Sequence, residues 1–242
     1  MSQVSVLKFG GTSVKNIGRI RHVAEIVAAN PSEKKLVILS AMGDTTDHLL
    51  ALSLECAEDP DKRELDLLLS TGEQVSIVLL ALTLKSLGIK AKSFTGAQIG
   101  IYTDDAHGNA NIRHIDPVRL HNALRDCDVA VIAGFQGVSY SGETTTLGRG
   151  GSDTTAVAVA AACNASICEI YTDVDGVFDC DPNRHTEAQL IDSLSYDRAL
   201  DLAQNGAQVV HDKAIQLARE HAVKLRVRNT FNPGYTGSLI SA

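Results

Sequence analysis

The sequence predicts an α/β protein with a mostly parallel sheet covered by helices on both faces. Apolar β-rich runs alternate along the chain with stretches whose apolar residues recur every three or four positions, the order of strand and helix expected of parallel units. Polar glycine turns follow nearly every strand candidate, and in open parallel sheets ligands gather beyond the carboxyl ends of the strands. With 242 residues, 44% of them hydrophobic, and a mean hydropathy of +0.02, the chain can bury a sizeable core and remain soluble.

Val4 to Phe9 is strand-like, and Gly10-Gly11-Thr12-Ser13 breaks it. Ile17, Ile20, Val23, Ala24 and Val27 then mark one face of a helix. Leu36 to Leu39 is a second β-rich run, ending in Ser40-Ala41-Met42-Gly43-Asp44-Thr45-Thr46-Asp47 ahead of a helical segment from His48. Leucines at helical spacing run from Lys62 to Leu87, interrupted at Ser70-Thr71-Gly72-Glu73, which places Glu73 at a helix start.

Ile89 to Phe94 reads as a strand, Gly96 to Asn111 as an irregular or hairpin region, and Asp116 to Arg125 as a helix opened by Asp116-Pro117. Val129 to Ala133 is a buried strand leading into Gly134-Phe135-Gln136-Gly137, and Ser141 to Thr146 is a polar hairpin. Thr154 to Cys163, alanine-rich and uncharged, is a buried helix, and Ile167 to Tyr171 a further strand before an Asp-rich loop. Ser195 to Ala203 and Asp212 to His221 read as helices, Lys224 to Arg228 and Ser238 to Ile240 as closing strands.

The net charge of −7, with no basic cluster longer than Lys34-Lys35, argues against a nucleic-acid or anionic-membrane partner and for small molecules. Five cysteines without a Cys-x-x-Cys pair read as reduced intracellular thiols rather than a zinc site or disulfide framework. No stretch approaches the roughly 18 apolar residues that span a bilayer. A cytoplasmic protein is expected.

The densest chemistry lies in Leu147-Gly148-Arg149-Gly150-Gly151-Ser152-Asp153-Thr154-Thr155, directly ahead of the alanine helix. Free amides at a helix N-terminus attract phosphates and carboxylates, and Arg149 adds a planar fork for either. The alternative is an ordinary glycine loop capped by Ser152 or Asp153. Lys8 sits in an otherwise apolar strand, where a buried ammonium needs an anionic partner; the alternative is an edge-strand lysine reaching water. For Asp153 the alternative is a carboxylate that merely complements a helix N-terminus. The Asp173, Asp175, Asp179, Asp181 loop lacks the terminal glutamate of a calcium-binding EF-hand.

Lys8-Phe9-Gly10-Gly11-Thr12-Ser13-Val14, Ser40 to Thr46, Gly72-Glu73, Gly148 to Asp153 and Thr172-Asp173-Val174-Asp175-Gly176 together resemble the catalytic domain of aspartate kinases, members of the amino acid kinase family, from Val4 to about Ile240. The resemblance implies a three-layer αβα sandwich. It also implies transfer of the γ-phosphoryl group of ATP to the β-carboxylate of L-aspartate, giving 4-phospho-L-aspartate and ADP, the first step towards lysine, threonine and methionine. Mg2+ carried with the nucleotide, no metal site of protein residues, and a homodimer are implied as well. By the same resemblance Lys8 contacts the transferring phosphoryl group beside the amides of Gly10 and Gly11, and Asp153 orients that lysine. Thr46, Glu73, Arg149 and Ser152 take the amino acid, with Arg149 on a carboxylate and Glu73 on the α-ammonium. Ser40, Thr172, Asp173, Phe178, Arg184, Gln208 and Val209 fall on the nucleotide side.

Three positions depart from the family pattern. Phe178 replaces the usual tyrosine, Arg184 stands one residue later than the usual arginine, and Gln208 occupies a place generally held by lysine. Gln208 can donate hydrogen bonds but cannot neutralise charge, so a weakened nucleotide- or amino-acid-binding homologue is the alternative, beside a kinase of another amino acid. Residues 1–242 are expected to form a single catalytic domain, without the ACT domains that commonly follow in such enzymes.

Overall fold

The computed structural model describes residues 4–180, 187–204, 209–232 and 234–242. Arg184 and Gln208 lie outside the described residues. In chain order the strands are β1 (Val4–Phe9), β2 (Lys34–Leu39), β3 (Ala91–Phe94), β4 (Ile101–Thr103), β5 (Ile112–Ile115), β6 (Val129–Ala133), β7 (Gln136–Ser139), β8 (Thr144–Thr146), β9 (Ile167–Thr172), β10 (Val177–Phe178), β11 (Leu190–Ile191), β12 (Ser193–Ser195), β13 (Lys224–Asn229) and β14 (Ser238–Ser241). The helices are α1 (Ile17–Ala29), α2 (Thr45–Cys56), α3 (Lys62–Leu69), α4 (Thr71–Ser86), α5 (Gly96–Ile99), α6 (Pro117–Arg125), α7 (Gly151–Ala162), α8 (Tyr196–Gln204) and α9 (Asp212–Glu220).

Among the described residues the main sheet has eight strands in the order β12-β14-β13-β9-β1-β2-β6-β3. Every neighbouring pair is parallel except β13 with β14. Its central strands feed two cores by simple alternation. Val6, Leu36, Ile38, Ala130 and Ile132 pack with α6, α7, α8 and α9 on one face. Leu7, Phe9, Val37, Leu39, Val129 and Val131 pack with α1 and α4 on the other. The result is the expected three layers, with β1 in the middle of the sheet rather than at its edge.

The stretch from 96 to 115 is more ordered than the sequence expectation. Where an irregular or hairpin region was predicted, Gly96–Ile99 forms a helical turn, Ile101–Thr103 and Ile112–Ile115 pair antiparallel, and a second sheet assembles in the order β5-β4-β7-β8. Its strands are three or four residues long and partly polar, so neither length nor alternation announces them.

The transmembrane expectation also needs correcting. Helices α3 and α4 run almost without interruption from Lys62 to Ser86, a stretch that by length and composition alone could cross a membrane. Its apolar side is a core face: Ile77, Leu80, Ala81 and Leu84 are buried against α1 and the sheet. Asp66 and Glu73 on the same run are buried too, and each must find partners there.

Candidate active site

Four neighbouring strands, β9, β1, β2 and β6, end side by side, and the ladder continues one residue past three of them, β1, β2 and β6. Gly10 N–H donates to Tyr171 O (3.3 Å), Ser40 N–H to Phe9 O (3.1 Å) and Gly134 N–H to Leu39 O (2.9 Å). The turns after β1 and β2 are further joined by Gly43 N–H to Gly11 O at 3.1 Å. A Cβ on Gly11 would stand 2.9 Å from Ala41 O, so only glycine lets the two turns close on each other.

The fourth wall comes from the glycine run and α7. The helix begins at Gly151, three residues earlier than the sequence suggests, with Gly150 as N-cap in a left-handed conformation (φ 71°) and no side-chain cap. Ser152 and Asp153 are therefore residues of the first turn, buried, and the capped-loop alternative falls away. A Cβ on Gly150 would meet the His211 ring at 2.1 Å.

Lys8 shares its side of β1 with Val6 and so faces α7. Its Nζ lies 2.6 Å from Asp153 Oδ1, and each side chain is 11% exposed. Asp153 Oδ2 also accepts the His211 amide at 3.3 Å. The carboxylate thus complements the helix N-terminus and holds the lysine at once.

Glu73 stands in the first turn of α4, 2% exposed. Its Oε1 accepts the Ala41 amide at 3.0 Å, while Oε2 is buried without a hydrogen-bond partner among the described residues. Burial pushes its carboxyl up to about 8, only partly offset by the backbone hydrogen bonds it accepts. A cation beside it would reverse that cost.

These groups line one cleft of ≈ 250 Å³ that contains Lys8, Gly11, Ser40, Thr46, Glu73, Arg149, Ser152 and Asp153. A larger groove of ≈ 590 Å³ between β5, α7 and α9 holds none of them. Gly10 lies behind the ammonium, a Cβ there reaching within 3.5 Å of Lys8 Nζ. Thr172 and Asp173 extend and follow β9, next to Gly10, with Thr172 Oγ1 donating to Asp173 Oδ1 at 3.2 Å. They do not line the cleft, nor do Phe178 on β10 and the half-buried Val209. Sequence reading missed Phe135, which lines the cleft at a left-handed φ of 67° and donates its amide to Thr155 Oγ1 at 3.2 Å. A polar Gly-Phe-Gln-Gly turn after a buried strand was the available signal.

The family model described as "Amino acid kinase family" matches residues 3–229. The chain belongs to the amino acid kinase family. Within that family it is 52% identical to the aspartokinase of Geobacillus stearothermophilus over 229 residues, which cover 94% of this chain and 56% of the relative. It is also similar to the crystal structure of aspartate kinase from Synechocystis, with a TM-score of 0.86 and 43% identity over 99% of this chain and 40% of that one. E. coli aspartokinase III, solved in complex with aspartate and ADP, gives a TM-score of 0.89 at 27% identity, over 99% of this chain and 64% of that one. This amino acid kinase therefore spans little more than half the length of the curated relatives it matches. The turns that crowd the carboxyl edge of its sheet belong to the part that is shared.

Proposed function

We propose that the chain phosphorylates the β-carboxylate of L-aspartate with ATP, releasing 4-phospho-L-aspartate and ADP. The observation that carries this reading is the charge pattern of one cleft. The buried Glu73 carboxyl has an unpartnered oxygen, Arg149 lies in the same lining, and the Lys8–Asp153 pair stands beside them. An amino acid with a second acid group answers that pattern: ammonium on Glu73, carboxylate on the Arg149 fork, with Thr46 and Ser152 supplying hydroxyls. The names of the relatives point the same way.

Phosphoryl transfer asks mainly for positioning and neutralisation of spreading charge. Lys8 supplies a fixed ammonium, and its pairing with Asp153 keeps Nζ from swinging away between turnovers. The amide of Gly11 and the first turn of α7 supply donors without side chains in the way, while the Gly10 amide, held by Tyr171 O, fixes the turn beside the ammonium. Ser40 in the cleft, and Thr172, Asp173, Phe178 and Val209 outside its lining, are assigned to the nucleotide, with Arg184 and Gln208 assigned from sequence only. Among the described residues no three His, Cys, Asp or Glu side chains cluster as a cation cage. A Mg2+ arriving on the triphosphate belongs to the same proposal, and it would supply charge neutralisation there.

A homodimer belongs to the same proposal and is supported by Val75, Val78 and Leu82, exposed along one side of α4; sedimentation equilibrium tests it. The activity is tested by ADP release with Mg-ATP across a panel of amino acids. Turnover with L-aspartate that Lys8→Ala abolishes is expected. Turnover with a different amino acid alone, or none above the Lys8→Ala background at millimolar substrate, overturns the proposal.

A further inference from the structure

Asp66 is fully buried on α3, and no lysine or arginine pairs with it among the described residues. Three donors from two other segments meet it instead. His107 Nδ1 lies 2.7 Å from Oδ2, the Gly108 amide donates to both oxygens at 3.0 and 3.1 Å, and the Thr146 hydroxyl donates to Oδ1. A buried carboxylate met so completely is a tie between the segments that supply the donors.

Those segments lead to the two charges assigned to the amino acid. From Asp66 the helical run continues through Ser70, whose carbonyl accepts Gln136 Nε2 at 2.8 Å, into the first turn of α4 and Glu73. From Thr146 the chain passes directly into Leu147, Gly148 and Arg149. The loop holding His107 and Gly108 lies against that same passage. The Ala110 amide donates to Thr146 O at 2.8 Å. A Cβ on Gly148, at φ 74°, would be 2.9 Å from Asn109 Oδ1 and 3.1 Å from Gly108 O. Lys213 Nζ donates to Asn109 Oδ1 at 2.8 Å, fastening the loop from the side of α9.

We infer that Asp66 is a positioning residue: through His107, Gly108 and Thr146 it fixes the separation of Glu73 and Arg149, and so tunes affinity for the amino-acid substrate. It does not line the cleft and is not a catalytic residue. The inference rests on the reading that Glu73 and Arg149 hold that substrate. An apolar side chain at this buried helical position would avoid burying a charge but would leave the Gly108 amide and the Thr146 hydroxyl without an acceptor. What an apolar side chain could not do is index α3 against β8 and the 107–109 loop at once.

The test is steady-state kinetics on wild type, Asp66→Asn, Thr146→Val and Thr146→Ser, with melting temperatures measured beside them. Asp66→Asn turns an acceptor into a donor facing other donors, and Thr146→Val removes one donor at constant shape. Both are expected to raise the KM for L-aspartate about tenfold while the KM for Mg-ATP stays within about twofold, and Thr146→Ser is expected to restore the wild-type value. Wild-type turnover of aspartate with both KM values unchanged in the variants, or raised together, overturns the inference and leaves the proposed function standing. No aspartate-dependent turnover by wild type overturns the function beneath it and the inference with it. Should Asp66→Asn fail to fold, the Thr146 pair is judged by the same split.

Discussion

Lys8 and Asp153, on the first strand and on a helix far along the chain, meet at 2.6 Å in a site where both are nearly buried. Neither is stable there alone: removing one leaves an uncompensated charge that costs about 3–5 kcal/mol. Lys8→Ala is therefore expected to lower stability by about 3 kcal/mol, and Lys8→Ala with Asp153→Asn to recover much of it, by urea titration. Turnover should fall by at least about a hundredfold in both. A double variant as unstable as the single one would show that the pair does not stabilise through charge.

Glu73 gives the chain a pH signature. Its carboxyl is raised from 4.5 to about 8 in the folded protein, so between those values the folded state keeps a proton that the unfolded state has released. The stability it contributes is full below about pH 4.5 and is lost as pH rises through about 8. The urea midpoint of the wild type should accordingly fall more steeply over that window than that of Glu73→Gln. Equal slopes would mean that the carboxyl ionises freely inside the fold.

Arg149→Lys keeps the charge but not the fork. A lost bidentate contact is expected to raise the KM for the acidic amino acid by about tenfold or more, with little change for ATP. Initial-rate measurements with each substrate varied in turn decide it.

Gly150→Ala meets two obstacles, a left-handed φ of 71° and the His211 ring 2.1 Å from the new Cβ. A loss of about 2 kcal/mol or more is expected, with a fall in activity because the displaced turn carries Arg149. A thermal melt unchanged from wild type would show that the turn relaxes without strain.

Much of this architecture was legible because its elements are long and periodic. The alternation of Val6, Leu7 and Phe9 and the helical spacing from Ile17 to Val27 each have one good reading, and the order of glycine turns after strands foretold a composite cleft. Lys8 and the Arg149–Ser152–Asp153 turn stood out by their chemistry and Glu73 entered as a family motif, and the fold brings all five together. The second sheet was legible only in part: hairpins were read near its two ends, but the strands Ile101–Thr103 and Ile112–Ile115 are too short and too polar to show a period, and the pairing of β4 with β7 joins segments remote in sequence. The Asp66–His107 contact was hidden for the same reason, with one partner in a leucine-rich helix and the other in a stretch without period. Nor could spacing reveal that one oxygen of Glu73 is buried without a partner.

The first strand leaves one more mark on the chain's future. Because Lys8 and Val6 face α7 while Leu7 and Phe9 face α1 and α4, losing or gaining a single residue within Val4–Phe9 would exchange the two sets. The ammonium would then enter a purely hydrocarbon layer, and a phenylalanine would stand opposite Asp153. Mutation can vary which aliphatic residues the strand uses, but its parity is locked, and lineages of this chain should carry substitutions there without insertions or deletions.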